Sequence, residues 1–297
     1  MPRVFIIADI EGSSGCWNHA GSAFGTDEWA RACVGMTKDV DAVACALFAA
    51  GVSSVTVKDF HRTGYNLLPR RIDRRARLIM GYRRGGVPGI GDPGGPGLLM
   101  MIGMHAPSGT DGFIAHTMTS RIARLEVNGE LMSEAQLFAA SLAPYEIRPV
   151  FFSGCPVACA QAQSVLRPIT IHSIDKSAGP DRFDADMWRT ELAAAAVRAL
   201  GNDATVPYRP EGPFDARIVM RDGEEAAKKL ASCWGLDHEG PVIRVQAITI
   251  HDLYMALIRM CYLTPFIERI LPAGLHLYNC AGWAGQQWVR WRTRAEG

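Results

Sequence analysis

Val4-Phe5-Ile6-Ile7-Ala8-Asp9-Ile10-Glu11-Gly12 is the stretch whose reading decides the fold. Its run of apolar, partly β-branched residues is that of a strand buried on both faces, as in a parallel sheet covered by helices. Such sheets place ligands at the carboxyl ends of their strands, and this run ends at Asp9 and Glu11. Two residues apart in extended backbone, those carboxylates project to one face and can bind one ion or two adjacent ions. Two further apolar runs end in the same way: Val55-Thr56-Val57-Lys58 at Asp59 and His61, and Leu98 to Met104 at His105.

Working outward, a Gly- and Ser-rich loop (Gly12 to Gly25) leads into a helical pattern from about Thr26 to Ala50, with Ala30, Cys33, Met36, Val40, Val43, Ala44 and Leu47 at helical spacing and Gly51 at its stop. The strand Val52 to Val57 follows, and strand, helix and parallel strand make a crossover unit. Later come a strand Leu98 to Gly103, a hairpin Ala123 to Leu131 turning at Asn128-Gly129, a helical stretch from Ser133 to Leu137, a strand Arg148 to Ser153 and a helix Cys155 to Leu166. The first half is therefore expected to be α/β, a mostly parallel sheet flanked by helices.

Beyond Pro168 the pattern predicts a strand Ile169 to Ile174, a helix Asp184 to Leu200, a strand Ala216 to Met220, a helix Glu224 to Ser232, a strand Val242 to Ile250 and a terminal helix from about Asp252. That is a smaller α+β second half. We expect residues 1–165 to form one domain, which carries the candidate ion ligands, and residues 166–297 a second.

Composition narrows the partners. The 297 residues carry 31 Lys plus Arg against 30 Asp plus Glu, so no global charge recruits nucleic acid or an acidic membrane. One local exception, Arg70 to Arg84, has seven arginines against Asp73; it reads as a solvated or subunit-facing surface first and an anion-steering rim second. The loop Gly85 to Gly97 lacks the signatures of a nucleotide cradle. Leu253 to Leu271 is interrupted by Arg259, Pro265, Glu268 and Arg269, against a membrane span. The amino terminus lacks the apolar core of a secretion signal, and the eight dispersed cysteines read as reduced thiols, Cys155 and Cys159 as core rather than a metal pair. A cytoplasmic protein is expected. His172, His238, His251 and His276 are scattered and read as structural.

Glu134, opening a helix after the hairpin, adds a carboxylate to Asp9, Glu11, His61 and His105. This mixed oxygen and nitrogen set suits zinc or manganese better than calcium or an iron-sulfur cluster. Five ligands exceed what one tetrahedral zinc uses, so a two-metal centre with one shared carboxylate is the economical arrangement. Asp59 is the member that could instead orient the His61 ring as an acceptor.

Asp9-x-Glu11-Gly12, Asp59-x-His61, Gly103-x-His105, His116 and Glu134 at a helix start resemble, in order and spacing, the zinc-dependent D-aminopeptidases of the dipeptide-permease operon type. The similarity is strong to about residue 154 and weaker but continuous beyond. It implies that Asp9, Glu11, His61, His105 and Glu134 hold two zinc ions, with Asp9 bridging and manganese or cobalt as substitutes, and that His116 is the catalytic side chain. It also implies a metal-bridged water attacking the amide of a short peptide with a free amino-terminal D-residue, in a homo-oligomer built as a decamer of stacked pentamer rings.

The chain departs from that pattern at Gly154-Cys155-Pro156, where acidic residues are expected, in the Gly-Pro loop and arginine run, and in the late indoles Trp283, Trp288 and Trp291. A kept metal centre under a rebuilt pocket would suit another amide, such as an aminoacyl group on a biosynthetic intermediate. Two alternatives stand beside amide hydrolysis: a two-metal phosphoesterase, to which the arginine run would lend an anion-binding rim, and a non-catalytic metal-binding scaffold.

Overall fold

The computed structural model describes residues 2–294, and its centre is a six-stranded parallel sheet in the order β3-β2-β1-β4-β7-β8. The strands are β1 (Arg3–Ala8), β2 (Ser54–Asp59), β3 (Arg77–Ile79), β4 (Gly97–Met104), β7 (Ile147–Gly154) and β8 (Thr170–Ser173). Successive residues of β1 feed opposite layers, as period-2 side chains must. Val4, Ile6 and Ala8 pack with α1 (Asp27–Ala49) and α4 (Ala185–Ala199); Phe5 and Ile7 join the core that includes α2 (Glu134–Leu142) and α3 (Pro156–Val165). Both faces are covered, as the unbroken apolar run required.

A second, antiparallel sheet runs β10-β11-β9-β5-β6. Its strands are β5 (Ile122–Val127), β6 (Glu130–Leu131), β9 (Phe214–Met220), β10 (Asp237–Glu239) and β11 (Val242–Ala247), packed by α5 (Gly223–Trp234) and α6 (Ile250–Tyr262). The hairpin β5-β6 thus pairs with β9 from the later part of the chain. The short α7 (Pro265–Arg269) and the long α8 (Leu271–Arg292) follow.

Several expectations shift for local reasons. The strand expected at Val52 begins at Ser54, because the Val52 amide still donates to the Leu47 carbonyl at the end of α1. The strand expected to reach Ile250 stops at Ala247, because Thr249 and Asp252 form a capping box that starts α6. The single terminal helix is three, since Pro265 and Pro272 can occupy only first turns. β3 inside the arginine run was not foreseen; three residues with Arg77 exposed carry no strand period.

Among the described residues no helix is long and apolar enough to cross a membrane. All eight cysteines are unpaired. Cys16, Cys33, Cys155 and Cys159 are buried, and Cys159 donates to the Gly154 carbonyl.

Candidate metal centre

The strand order reverses between β1 and β4, and crevices at such a switch point are where α/β sheets bind ligands. Asp9 and Glu11 follow β1, His61 follows β2 and His105 follows β4, while Glu134 is the first residue of α2. The ends of β1 and β4 approach so closely that side chains are excluded. Gly103 has φ +76°, and a Cβ there would overlap the Asp9 carbonyl; one on Gly12 would overlap the Met104 carbonyl. Glu134 enters through an N-terminal capping box in which the Ser133 and Gln136 side chains each accept the other's backbone amide, and a carboxylate there is favoured by the helix dipole.

All five side chains are buried. Asp9 stands between the others: Oδ1 lies 3.3 Å from His61 Nδ1, and Oδ2 lies 3.5 Å from His105 Nε2. Glu11 Oε2 is 3.1 Å from His61 Nδ1, and Glu134 Oε1 is 3.4 Å from His105 Nε2. Donor atoms around a tetrahedral zinc, each about 2.0–2.2 Å from the ion, sit ~3.4 Å from one another. Two compact donor groups result, Asp9 with Glu11 and His61, and His105 with His116 and Glu134.

The outer contacts fix which nitrogen each imidazole presents. The Nε2–H of His61 donates to the Ser22 carbonyl at 3.0 Å, leaving Nδ1 toward Asp9 and Glu11. His105 Nδ1–H donates to the Ala106 carbonyl at 3.0 Å, leaving Nε2 toward Asp9 and Glu134. Carbonyl acceptors of this kind orient metal-bound histidines. His105 Nε2 is buried with no hydrogen-bond partner, an orphan a cation would satisfy. Burial and the adjacent Glu11 push the Asp9 carboxyl up to about 7, as packing carboxylates closely does. The residues fit a divalent, zinc-like cation.

By distance His116 belongs to the second donor group, although it is not among the five expected ligands. Its ring stacks on His105 with centroids 3.7 Å apart and 14° between planes, and its Nδ1–H donates to the Ile114 carbonyl at 2.9 Å. Burial holds its pKa below the usual histidine value. The loop carrying it is tied down by the His116 amide on the Ala106 carbonyl and the Met118 amide on Glu134 Oε1 at 2.6 Å.

Asp59 joins neither donor group. Its carboxylate accepts from the amides of Asn66 and Leu67 and from Asn66 Nδ2, and Asn66 Nδ2 donates on to the His61 carbonyl. It therefore braces the loop bearing His61 rather than orienting the ring, which Ser22 does.

One support escaped the sequence reading. Lys176, after β8, donates from Nζ to the carbonyls of Ser13 and Cys16, with Trp17 and Phe113 rings 5.0 and 4.7 Å away. It closes the loop that follows Glu11. An isolated lysine between polar residues carries no sequence signal for such a role.

The centre opens into a cavity of about 1120 Å³ whose wall includes Arg62, Arg121, Arg221, Tyr262 and Tyr278. The departures noted in the sequence lie elsewhere. None of Trp283, Trp288, Trp291, the arginines of the 70–84 run or the Gly-Pro loop lines this cavity. Trp288 stacks on Trp29, and Arg75 pairs with Asp73. An anion-binding rim built from that run is thus not part of the cavity wall.

A family model described as D-aminopeptidase matches residues 2–258. A D-aminopeptidase of Bacillus subtilis (strain 168) is 23% identical over 214 residues, covering 70% of this chain and 77% of that protein. Among solved structures, the Zn-dependent D-aminopeptidase DppA from Bacillus subtilis, described as a self-compartmentalizing protease, superposes with a TM-score of 0.79 over 88% of this chain and 97% of that one, at 20% identity. At that identity the likeness is one of fold.

Proposed function

From the premise that this chain belongs to the D-aminopeptidase family, and is thus a metallo-aminopeptidase, we propose that it is a binuclear zinc hydrolase. Short peptides with a free amino-terminal D-residue are its substrates. The observation that carries this is the Asp9 carboxylate, one oxygen facing His61 and the other His105, each within 3.5 Å. That placement suits Asp9 to be shared by two ions, one held with Glu11 and His61, the other with His105 and Glu134. Paired zinc ions, when bound, supply Lewis acidity that activates water and polarises the scissile carbonyl.

The chain's own groups supply the rest. Ser22 and Ala106 hold the imidazoles in the tautomers that present a lone pair to the ions. His116, neutral and with Nδ1–H held by Ile114, offers Nε2 to accept a proton from the attacking water and return it to the leaving amine. Residues 1–165 supply the ligands, and residues 166–297 complete the pocket through Arg221, Tyr262 and Tyr278. A homo-oligomer, in the form of a decamer of stacked pentamer rings, is proposed. The neighbour described as self-compartmentalizing supports it, as do Leu277, Trp283 and Trp291, which stand exposed on α8. Eight unpaired thiols suit a reducing compartment, and we place the protein in the cytoplasm.

The test is release of free amine from D-alanyl and L-alanyl dipeptides by protein stripped with a chelator and reloaded with zinc. Zinc-restored hydrolysis of the D-series is expected. No hydrolysis despite full zinc loading would refute the proposal and leave a metal-binding scaffold.

A further inference from the structure

Three arginines line the cavity: Arg62, Arg121 and Arg221. Arg121 precedes β5 and Arg221 follows β9, where Ile122 and Met220 are register partners. The Arg221 amide donates to the Arg121 carbonyl at 2.8 Å, and Arg221 Nε donates to the Ser120 carbonyl at 2.9 Å. The two guanidinium-bearing residues therefore leave adjacent strand ends beside each other. Elsewhere on the same sheet Arg124 and Arg217 share Glu126. Among the described residues no carboxylate is ion-paired with Arg62, Arg121 or Arg221. Among the described residues, Asp222 is the one carboxylate on the wall outside the five proposed ligands. All three arginines are exposed to solvent, so their guanidinium groups stand available to pair with an incoming anion.

Backbone conformation points to the same place. Among the described residues five non-glycine positions have left-handed φ, and three of them, Arg62 (46°), Ile114 (46°) and Met118 (63°), line this cavity. Strain of this kind collects where a side chain must be aimed at a ligand. Arg62 is aimed directly after the proposed ligand His61.

We propose that the cavity selects substrates carrying a carboxylate on the leaving-group side of the scissile amide, held by Arg121 and Arg221 with Arg62 contributing. The inference rests on the aminopeptidase reading. In such a substrate the amino-terminal residue bears the free amine and the scissile carbonyl, so the negative charge of a short peptide lies on the leaving portion. Arginine matches it with paired N–H donors. Two sources share this chemistry: a carboxy-terminal carboxylate, or an acidic side chain close behind the cut bond.

Steady-state kinetics of the zinc-loaded protein on D-alanyl-D-alanine, its carboxy-terminal amide and D-alanyl-D-glutamic acid α-amide test the proposal. The dipeptide acid is expected to have a KM about tenfold below that of its amide, the scale of a charge-assisted hydrogen bond. In an Arg121→Gln, Arg221→Gln double variant the acid and the amide should converge. Raised salt should weaken the wild-type preference while sparing the amide, a readout that needs no variant. Both results for the glutamyl α-amide support the carboxylate requirement: KM near that of the acid admits a side-chain source, and KM near that of the amide restricts it to the carboxy terminus. Equal KM for acid and amide in the wild type, or a preference that survives the double variant, would overturn it while hydrolysis stands. Failure to cut any of the three would remove the aminopeptidase reading, and this inference with it.

Discussion

His105 and His116 lie face to face, ring centroids 3.7 Å apart and 14° from parallel, with Nδ1 of each ring donating to a different backbone carbonyl. Burial in that stack lowers the pKa of His116 and favours its neutral form, beside a partner turned toward Asp9 and Glu134. His116→Ala is expected to keep both zinc ions and to lower kcat by about 10²–10⁴, the usual contribution of a general acid or base. Elemental analysis read alongside turnover decides it: loss of a metal would make His116 a ligand, and wild-type kcat would remove its catalytic role.

His105→Ala should lose a zinc ion and nearly all activity, because its Nε2 is the nitrogen facing both Asp9 Oδ2 and Glu134 Oε1. Chelation of the wild type should likewise lower its melting temperature and abolish activity, both restored by zinc, since ligand binding to the folded state stabilises it. Full zinc content in His105→Ala would count against the assignment.

Lys176 ties the carbonyls of Ser13 and Cys16 behind Glu11. Lys176→Met is expected to cost about 2 kcal/mol, the scale for hydrogen bonds to a charged donor, and to weaken zinc uptake by loosening that loop. Denaturant melts and zinc titration would show it; an unchanged zinc affinity would confine Lys176 to stability.

Stability should depend on pH through Lys58. Its amine is buried in β2 with Nζ on the Gly81 carbonyl, and desolvation pushes its pKa down to about 7 from 10.5. Between those values the unfolded chain binds the extra proton, so stability rises with pH across that window. Below about 7 both states are protonated and the penalty is constant. Lys58→Met should flatten the rise. Chemical denaturation at about pH 7 and about pH 10 compares the two proteins; parallel curves would show that Lys58 does not carry it.

Much of the parallel sheet was legible because its main strands are largely apolar runs, and those of β1, β2 and β4 lead into Asp9, His61 and His105, where the candidate donor groups gather. Asp59 was ambiguous because a carboxylate bracing a loop and one orienting a ring look alike in sequence; only the three donors from Asn66 and Leu67 distinguish them. The pocket wall was not legible. Arg121, Arg221, Tyr262 and Tyr278 reach it from strand ends and late helices whose docking depends on long-range pairing, such as β5 with β9, that no local period encodes. The conspicuous features, the arginine run and the late tryptophans, face elsewhere.

The central claim is tested most directly by anomalous diffraction at the zinc edge on crystals of the zinc-loaded protein. Two peaks are predicted on each chain, one among Asp9, Glu11 and His61 and one among Asp9, His105 and Glu134, with the Asp9 carboxylate between them. A single peak, or peaks away from these five side chains, would contradict it.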